Sequence, residues 1–479
     1  MNEKILILNL GGSYAKTLAR RIRACGVYCE IAPCDAGVDI VRSLAPRGLI
    51  LAGEDRNEAL DAALLRLGLP VLGVGAGALC LARALGGQVA EAALVSDSAP
   101  LVLSPSPLVK DIPDCERYFD ALHPLTLPEG VSVIASSDGL AAAFADEQAR
   151  LYGMQFTVEA NDLEGMDILM NFCRGICGCE EEWAIPAFLE AECRRIQQKV
   201  GTGSALMAMS GGVDSSVCAA LMNQALGEQM HYLYVDTGLM RKGDTEMMLR
   251  IFARDMGLKL TCVDARERFL RALRGLTDPE EKRRATESLF RDIFHEEAEK
   301  LGNIDYLVQG TIYSDVLDSD RPLLEPEPEH VVEPVRRLFK GEVRTLGECL
   351  GLPEQIIHRQ SLPGAGLAIR TLGEVTEQKL NMLREADAIY REELLAARLD
   401  KRIKNYFAVL EESTSTGEHA CRYTVALRAV SQAGGSYVVY RMPYDLLERV
   451  NERILSEVPG VDRVVYDMTV SRRSGIEWE

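Results

Sequence analysis

No stretch of 18 consecutive apolar residues occurs in the 479-residue chain, so no segment meets the usual length for a membrane-spanning helix. Positive charge is scarce: 53 lysines and arginines stand against 72 aspartates and glutamates, a net charge of −19 at pH 7. So acidic a surface repels phosphate backbones and anionic lipid, which argues against general nucleic-acid or membrane binding. A local basic pocket for a nucleotide stays open. No GxxxxGK[ST] run is present, which excludes a phosphate loop of the Walker type, and no internal repeat is visible. The thirteen cysteines lack a zinc-site spacing. Their one cluster, Cys173, Cys177 and Cys179, has no histidine near it and reads as structural free thiols. The opening MNEKILILNLGG reads as a strand and not as a targeting signal, so the expected location is cytoplasmic. What is present is an ordinary soluble composition, 47% hydrophobic and 26% charged, with length for about three domains.

Short apolar runs alternate with amphipathic stretches from residue 1 to about 180, a parallel α/β pattern. KILILNL, VYCEIAP, GLILAG and PVLGVG read as strands, and Tyr14–Cys25 as a helix. Residues 178–201 read as a linker followed by a helix. A second α/β unit begins at SALMAM (204–209) and continues through MHYLYVDTGL, KLTCVDA and IDYLVQGTI, with helices over 266–302. The acidic, proline-rich 317–333 reads as a surface loop. From about 366 strands predominate: GLAIRTLG, YFAVLEE, YTVALRAV and VDRVVYDMTV. Helices are expected at 375–399 and 443–457, giving a small α+β domain.

Two glycine turns carry the functional signal. In PVLGVGAGALCLARALGG (70–87) a buried strand turns sharply into a helix. Such a turn usually presents a nucleophile, yet its apex here is Gly75, flanked by Ala76. The second turn is SGGVDSS, Ser210, Gly211, Gly212, Val213, Asp214, Ser215 and Ser216, between an apolar strand and a helical run. Paired glycines bring backbone N–H groups close to an anion. The serine hydroxyls can donate to phosphate oxygens, and the helix directs its positive end at the same place. A carboxylate in a phosphate cradle is repulsive unless a cation screens it, so Asp214 points to Mg²⁺.

SGGVDSS resembles the pyrophosphate-binding loop of ATP pyrophosphatases. YVDTGLMRKGD (234–244), DARERFLRALRGLTDPEEKRR (264–284), QGTIYSDVLDS (309–319), EPVRRLFKGEVRTLGECLGLP (333–353), LPGAGLAIR (362–370), GEVT (373–376), LRAV (427–430), VVYDMT (464–469) and IEWE (476–479) resemble the GMP synthase family. The likeness covers nearly the whole chain. It implies an α/β N-terminal class I glutaminase-like domain (1–180), a central α/β ATP pyrophosphatase domain (181–365) and a C-terminal α+β dimerisation domain (366–479). It also implies a reaction: ATP adenylates the C2 oxygen of xanthosine monophosphate, and ammonia displaces AMP to give GMP. Lys340 and Arg344 match basic positions near the phosphates, and the resemblance adds Val235 and Gly310 to the ATP-binding set. Arg359, Arg472, Ile476 and Glu477 fall at acceptor-binding positions.

The chain departs from that family twice. The class I turn is LGxCxG, and glycine stands here at the cysteine position, Gly75. The QFHPE segment reads Gln155, Phe156, Thr157, Val158 and Glu159, so threonine replaces the histidine base while Glu159 persists. Cys80, five residues into the helix, is a core residue. The expectation is a glutaminase fold without glutamine hydrolysis, supplied by free ammonia or by a separate glutaminase partner. On the acceptor side the lid motif is replaced by the acidic RPLLEPEPEHVVEP (321–334). An arginine is lost at Glu287–Phe290, His419 stands where an arginine is expected, and Ser471 replaces a lysine near Arg472 and Arg473. The ATP side is kept. Two other readings stay open: the same chemistry on another nucleotide or heterocyclic carbonyl, and a non-catalytic ATP-binding regulator.

Overall fold

The computed structural model describes residues 3–54, 60–159, 162–319, 328–412, 422–433, 436–469 and 478. The chain divides into two compact units parted near residue 188, with a short stretch from Leu317 grouped with the first. No helix among the described residues is long and apolar enough to cross a membrane.

The first unit is built on a nine-stranded sheet. Its parallel half runs Cys29–Pro33, Ile5–Asn9, Gly48–Ala52, Val71–Val74, Leu151–Met154. The inner strands are largely apolar runs because they are covered on both faces; Ile5, Leu6, Ile7 and Leu8 are all fully buried. The sequence pattern predicts four strands of this parallel half and misses Leu151–Met154. The sheet continues antiparallel through Leu140–Asp146, Ser132–Ser137, Leu94–Leu103 and Cys115–Leu122. In Cys115–Leu122 buried and exposed residues largely alternate, the mark of a half-solvated strand and not of a doubly covered one.

The strand Val71–Val74 (β1) and the helix Ala76–Ala84 (α1) flank the turn at Gly75. Gly75 has φ +57°, a backbone setting L side chains rarely adopt. The helix also lies too close to the sheet for larger residues: a Cβ on Gly73 would meet the Gly77 carbonyl oxygen at 2.5 Å, and one on Gly77 would overlap the Leu51 carbonyl.

The second unit holds a five-stranded parallel sheet in the order Leu260–Asp264, Met230–Asp236, Ala205–Met209 (β2), Tyr306–Val308, Val331–Val332. β2 is central, and chain order reverses around it. In open α/β sheets a ligand crevice forms at the C-terminal ends of the strands at such a reversal. The helix Val213–Leu226 (α2) follows β2 after three residues and is buried on nearly every face, which explains its apolar run Val217–Met222. Beyond it, strands Asn405–Glu412, Tyr423–Ala433, Ser436–Val439 and Val461–Tyr466 form a second sheet. The helices Glu377–Ala396 and Tyr444–Glu457 pack with it through Leu383, Tyr390, Val425, Leu427, Val450 and Ile454. One continuous core joins these residues to Leu206, Leu233, Phe269 and Ile293 under the parallel sheet. The architecture is thus the three-part α/β, α/β and α+β arrangement, the last two parts sharing a core.

One expected strand is absent. GLAIRTLG forms a tight helical turn over Gly366–Arg370, and only Thr371 bridges to Leu410. Gly366 sits at φ +60° against the Leu239 carbonyl, and Leu367 N donates to that same oxygen at 2.8 Å. This anchor curls the segment away from an extended path.

Candidate active site

At the C-terminal end of β2 the chain enters Ser210, Gly211 and Gly212 before α2. Gly211 has φ +75°, and Gly212, extended, is the residue ahead of the helix. Ser210 Oγ lies 3.0 Å from Ser215 Oγ and accepts from Gly212 N at 3.3 Å; Ser215 Oγ donates to the Gly212 carbonyl at 3.1 Å. The hydroxyls therefore sit inside the loop that the glycines shape. Ser216 is fully buried and its Oγ has no hydrogen-bond partner among the described residues.

The loop borders a cleft of about 230 Å³, closed on other sides by Met240, Lys340, Arg359 and residues 360–364. Lys340 opens the helix Lys340–Cys349 (α3), whose start is fixed by the Glu342 carboxylate accepting Phe339 N at 2.8 Å. Its Nζ lies 2.5 Å from Asp214 Oδ2. The other oxygen, Asp214 Oδ1, is buried and accepts no hydrogen bond among the described residues. A buried carboxylate oxygen without a donor suits a cation. One carboxylate beside a phosphate cleft fits Mg²⁺, which completes its shell with phosphate oxygens and water. Among the described residues no group of three histidine, cysteine or carboxylate side chains could hold a metal on its own.

The residues expected at this site are not all brought together. Ser210 to Asp214 and Lys340 line the cleft. Arg344, one turn along α3, is half-buried and does not line it. Val235 is buried in the neighbouring strand, and Gly310 packs against Ser215, where a Cβ would lie 3.5 Å from its backbone nitrogen. Neither lines the cleft. Arg359 falls at an acceptor-binding position by resemblance, yet it stands at the phosphate loop, donating to the Gly211 carbonyl at 2.6 Å and pairing with Asp244. Arg472, Ile476 and Glu477, with His419, Ser471 and Arg473, lie outside the described residues. Sequence reasoning missed Asp244, whose only mark was its place in the quoted YVDTGLMRKGD.

The turn at Gly75 opens on a cavity of about 360 Å³ within the first unit. Ala76, Thr157, Glu159, Asp120 and His123 share its lining. Thr157 Oγ1 donates to Glu159 Oε1 at 3.1 Å. A Cβ placed on Gly75 would lie 3.3 Å from Thr157 Cγ2, so the two altered positions face each other. His123 Nδ1 contacts the Ala90 carbonyl at 2.8 Å, and its backbone is clasped by the Gln155 side chain. Among the described residues the cavity lining contains no thiol, and Cys80 is buried within α1. Burial also raises the thiols of the other cluster, Cys179 to about 11, and Cys173 and Cys177 well above the ordinary thiol range. Such groups stay protonated and inert near neutral pH.

Residues 6–175 match the glutamine amidotransferase class-I family, residues 187–293 the NAD synthase family and residues 392–478 the GMP synthase C terminal domain. The chain is 41% identical to a GMP synthase [glutamine-hydrolyzing] of Caldicellulosiruptor saccharolyticus, covering all of both chains. It is 40% identical to that of Geobacillus kaustophilus, over all of this chain and 99% of the relative. It is 39% identical to that of Acetivibrio thermocellus, over all of both. The first alignment spans 511 positions against 479 residues, so this chain lacks at least 32 positions that the relative has.

Proposed function

The chain belongs to the GMP synthase family and is an ATP-dependent carbon–nitrogen ligase, and from that premise we propose that it aminates xanthosine monophosphate with ammonia and does not hydrolyse glutamine. The division of labour follows residues 1–180, 181–365 and 366–479, in a cytoplasmic homodimer. Ammonia comes from solution or from a separate glutaminase.

The acceptor's amide-like carbonyl is a poor electrophile. Its C2 oxygen attacks the α-phosphorus of ATP, the bond to the β-phosphate oxygen breaks, and pyrophosphate leaves. Ammonia then adds at C2 and expels AMP, releasing a proton. The chain's part is to hold the outer phosphates still and to stabilise the charge that gathers on them. Loop N–H groups, the Ser210 hydroxyl and the N-terminus of the 14-residue α2 converge on the cleft, and the Ser215 hydroxyl ties Ser210 and the Gly212 carbonyl together behind it. Lys340 brings a mobile positive charge that Asp214 holds in place until phosphate arrives. When bound at Asp214, Mg²⁺ supplies further charge neutralisation on the phosphates. Arg344, outside the cleft, has the lesser part. Arg472, Ile476 and Glu477 serve the acceptor by resemblance.

Gly75 carries the loss of glutaminase chemistry. With no side chain at the apex there is no acyl-enzyme, and Thr157 cannot shuttle a proton as imidazole does. The relatives are named glutamine-hydrolysing, so this is where the chain parts from them. The test supplies ATP, Mg²⁺ and xanthosine monophosphate with either ammonium or glutamine. GMP, AMP and pyrophosphate are expected with ammonium alone. Turnover with glutamine contradicts the lost hydrolysis, and AMP formation only with another acceptor contradicts the choice of xanthosine monophosphate.

A further inference from the structure

The phosphate loop is braced at the edge of its cleft by a buried ion pair. Arg359 follows the short helical turn Glu354–Ile357, and its guanidinium reaches back to the loop. Nη1 donates to the Gly211 carbonyl at 2.6 Å, and Nη2 pairs with the Asp244 carboxylate. The two side chains are only 8% and 6% exposed. Asp244 does not line the phosphate cleft and so cannot meet substrate there.

The brace bears on the loop through peptide geometry. A trans peptide holds its C=O and N–H antiparallel. Pinning the Gly211 carbonyl towards Arg359 turns the Gly212 N–H the opposite way, to the inner side of the loop, where it meets Ser210 Oγ at 3.3 Å. That contact is long, and an incoming phosphate oxygen is a better acceptor. Gly211, free of a Cβ, would otherwise let this peptide rotate. The far wall is pinned alike: Arg241 donates to the Gln360 and Ser361 carbonyls at 2.8 and 3.2 Å.

Arg359 needs its partner. A buried guanidinium without a carboxylate is an uncompensated charge, and it would leave the Gly211 carbonyl for water. Burial raises the Asp244 carboxyl, while Arg359 and Arg241 favour its ionised form.

We propose that Asp244 is a positioning residue for the phosphate loop: it holds Arg359 on the Gly211 carbonyl and thereby aims the Gly212 N–H at the phosphate of ATP. This rests on the reading that the loop grips ATP. The experiment measures the Kd of Mg-ATP by calorimetry, together with kcat and thermal midpoint, in the full-length protein. Asp244→Asn and Arg359→Gln should each weaken ATP binding about tenfold, and in Asp244→Asn, which does not touch the cleft, kcat at saturating ATP should fall no more than about threefold. The double variant should bind no worse than the weaker single one, since both cut one brace. Arg359→Lys, which keeps the charge, should recover part of the affinity and covers the case in which Asp244→Asn does not fold. Unchanged Kd in Asp244→Asn, multiplicative losses in the double variant, or no recovery in Arg359→Lys each overturn the proposal. Asp214→Ala separates it from its premise: if that variant still binds and turns over ATP as the parent does, the phosphate-loop reading itself fails.

Discussion

Two turns in this molecule share one construction and differ in what they present. β1 runs through Gly75 into α1, and β2 runs through Ser210–Gly212 into α2. Both lead from a buried parallel strand into a buried helix, and both use a glycine at positive φ. At the first the apex is bare and the facing position is Thr157. At the second, hydroxyls, an aspartate and a lysine crowd a cleft. The contrast separates scaffold from chemistry. Gly73 and Gly77 are required because α1 packs on the sheet without room for a Cβ. That demand survives whether or not a nucleophile sits between them. Asp214 and Lys340 answer no such packing demand, being 29% and 34% exposed.

Substitutions can break this contrast from either end. The largest effect is expected at the loaded turn: Asp214→Ala should lower pyrophosphate release about a thousandfold, roughly 4 kcal/mol of transition-state stabilisation, measured with ammonium as nitrogen donor. Next comes the pair on α3. Lys340→Ala should cost about a hundredfold in kcat/KM for ATP, and Arg344→Ala less than about fivefold, because only the former lines the cleft. Equal losses would mean that Arg344 reaches the phosphates during turnover. At the empty turn the expected effect is on stability. Gly77→Ala should destabilise the first unit by about 1–3 kcal/mol in denaturant unfolding, with ATP affinity unchanged. The smallest effect belongs to Gly75→Cys. It should yield no glutaminase, because Thr157 supplies no base and its methyl stands 3.3 Å from the new Cβ. Adding Thr157→His is the variant in which glutamate release should first be detectable.

Much of this contrast is written in the residue order. Apolar runs ending in glycine turns locate both junctions, and the bare apex at Gly75 is visible without coordinates. The antiparallel half of the first sheet is not, because runs such as Cys115–Leu122 and Leu94–Leu103 mix charged and hydroxyl residues into the strand and so break the continuous apolar pattern. GLAIRTLG misleads because its apolar residues suit a strand, while the Leu239 carbonyl that curls it comes from far away in sequence. Arg359 shows the same limit. Its basic character is plain, but its place at the phosphate loop depends on Asp244, 115 residues earlier. Long-range ion pairs leave no periodic trace in a single sequence.

The most direct test gives the purified protein ATP and xanthosine monophosphate, with ammonium in one vessel and glutamine in another, and follows phosphate products and glutamate together. The account predicts AMP and pyrophosphate in step with GMP in the first vessel, and neither glutamate nor GMP in the second. Formation of ADP, or glutamate released from glutamine, would contradict it.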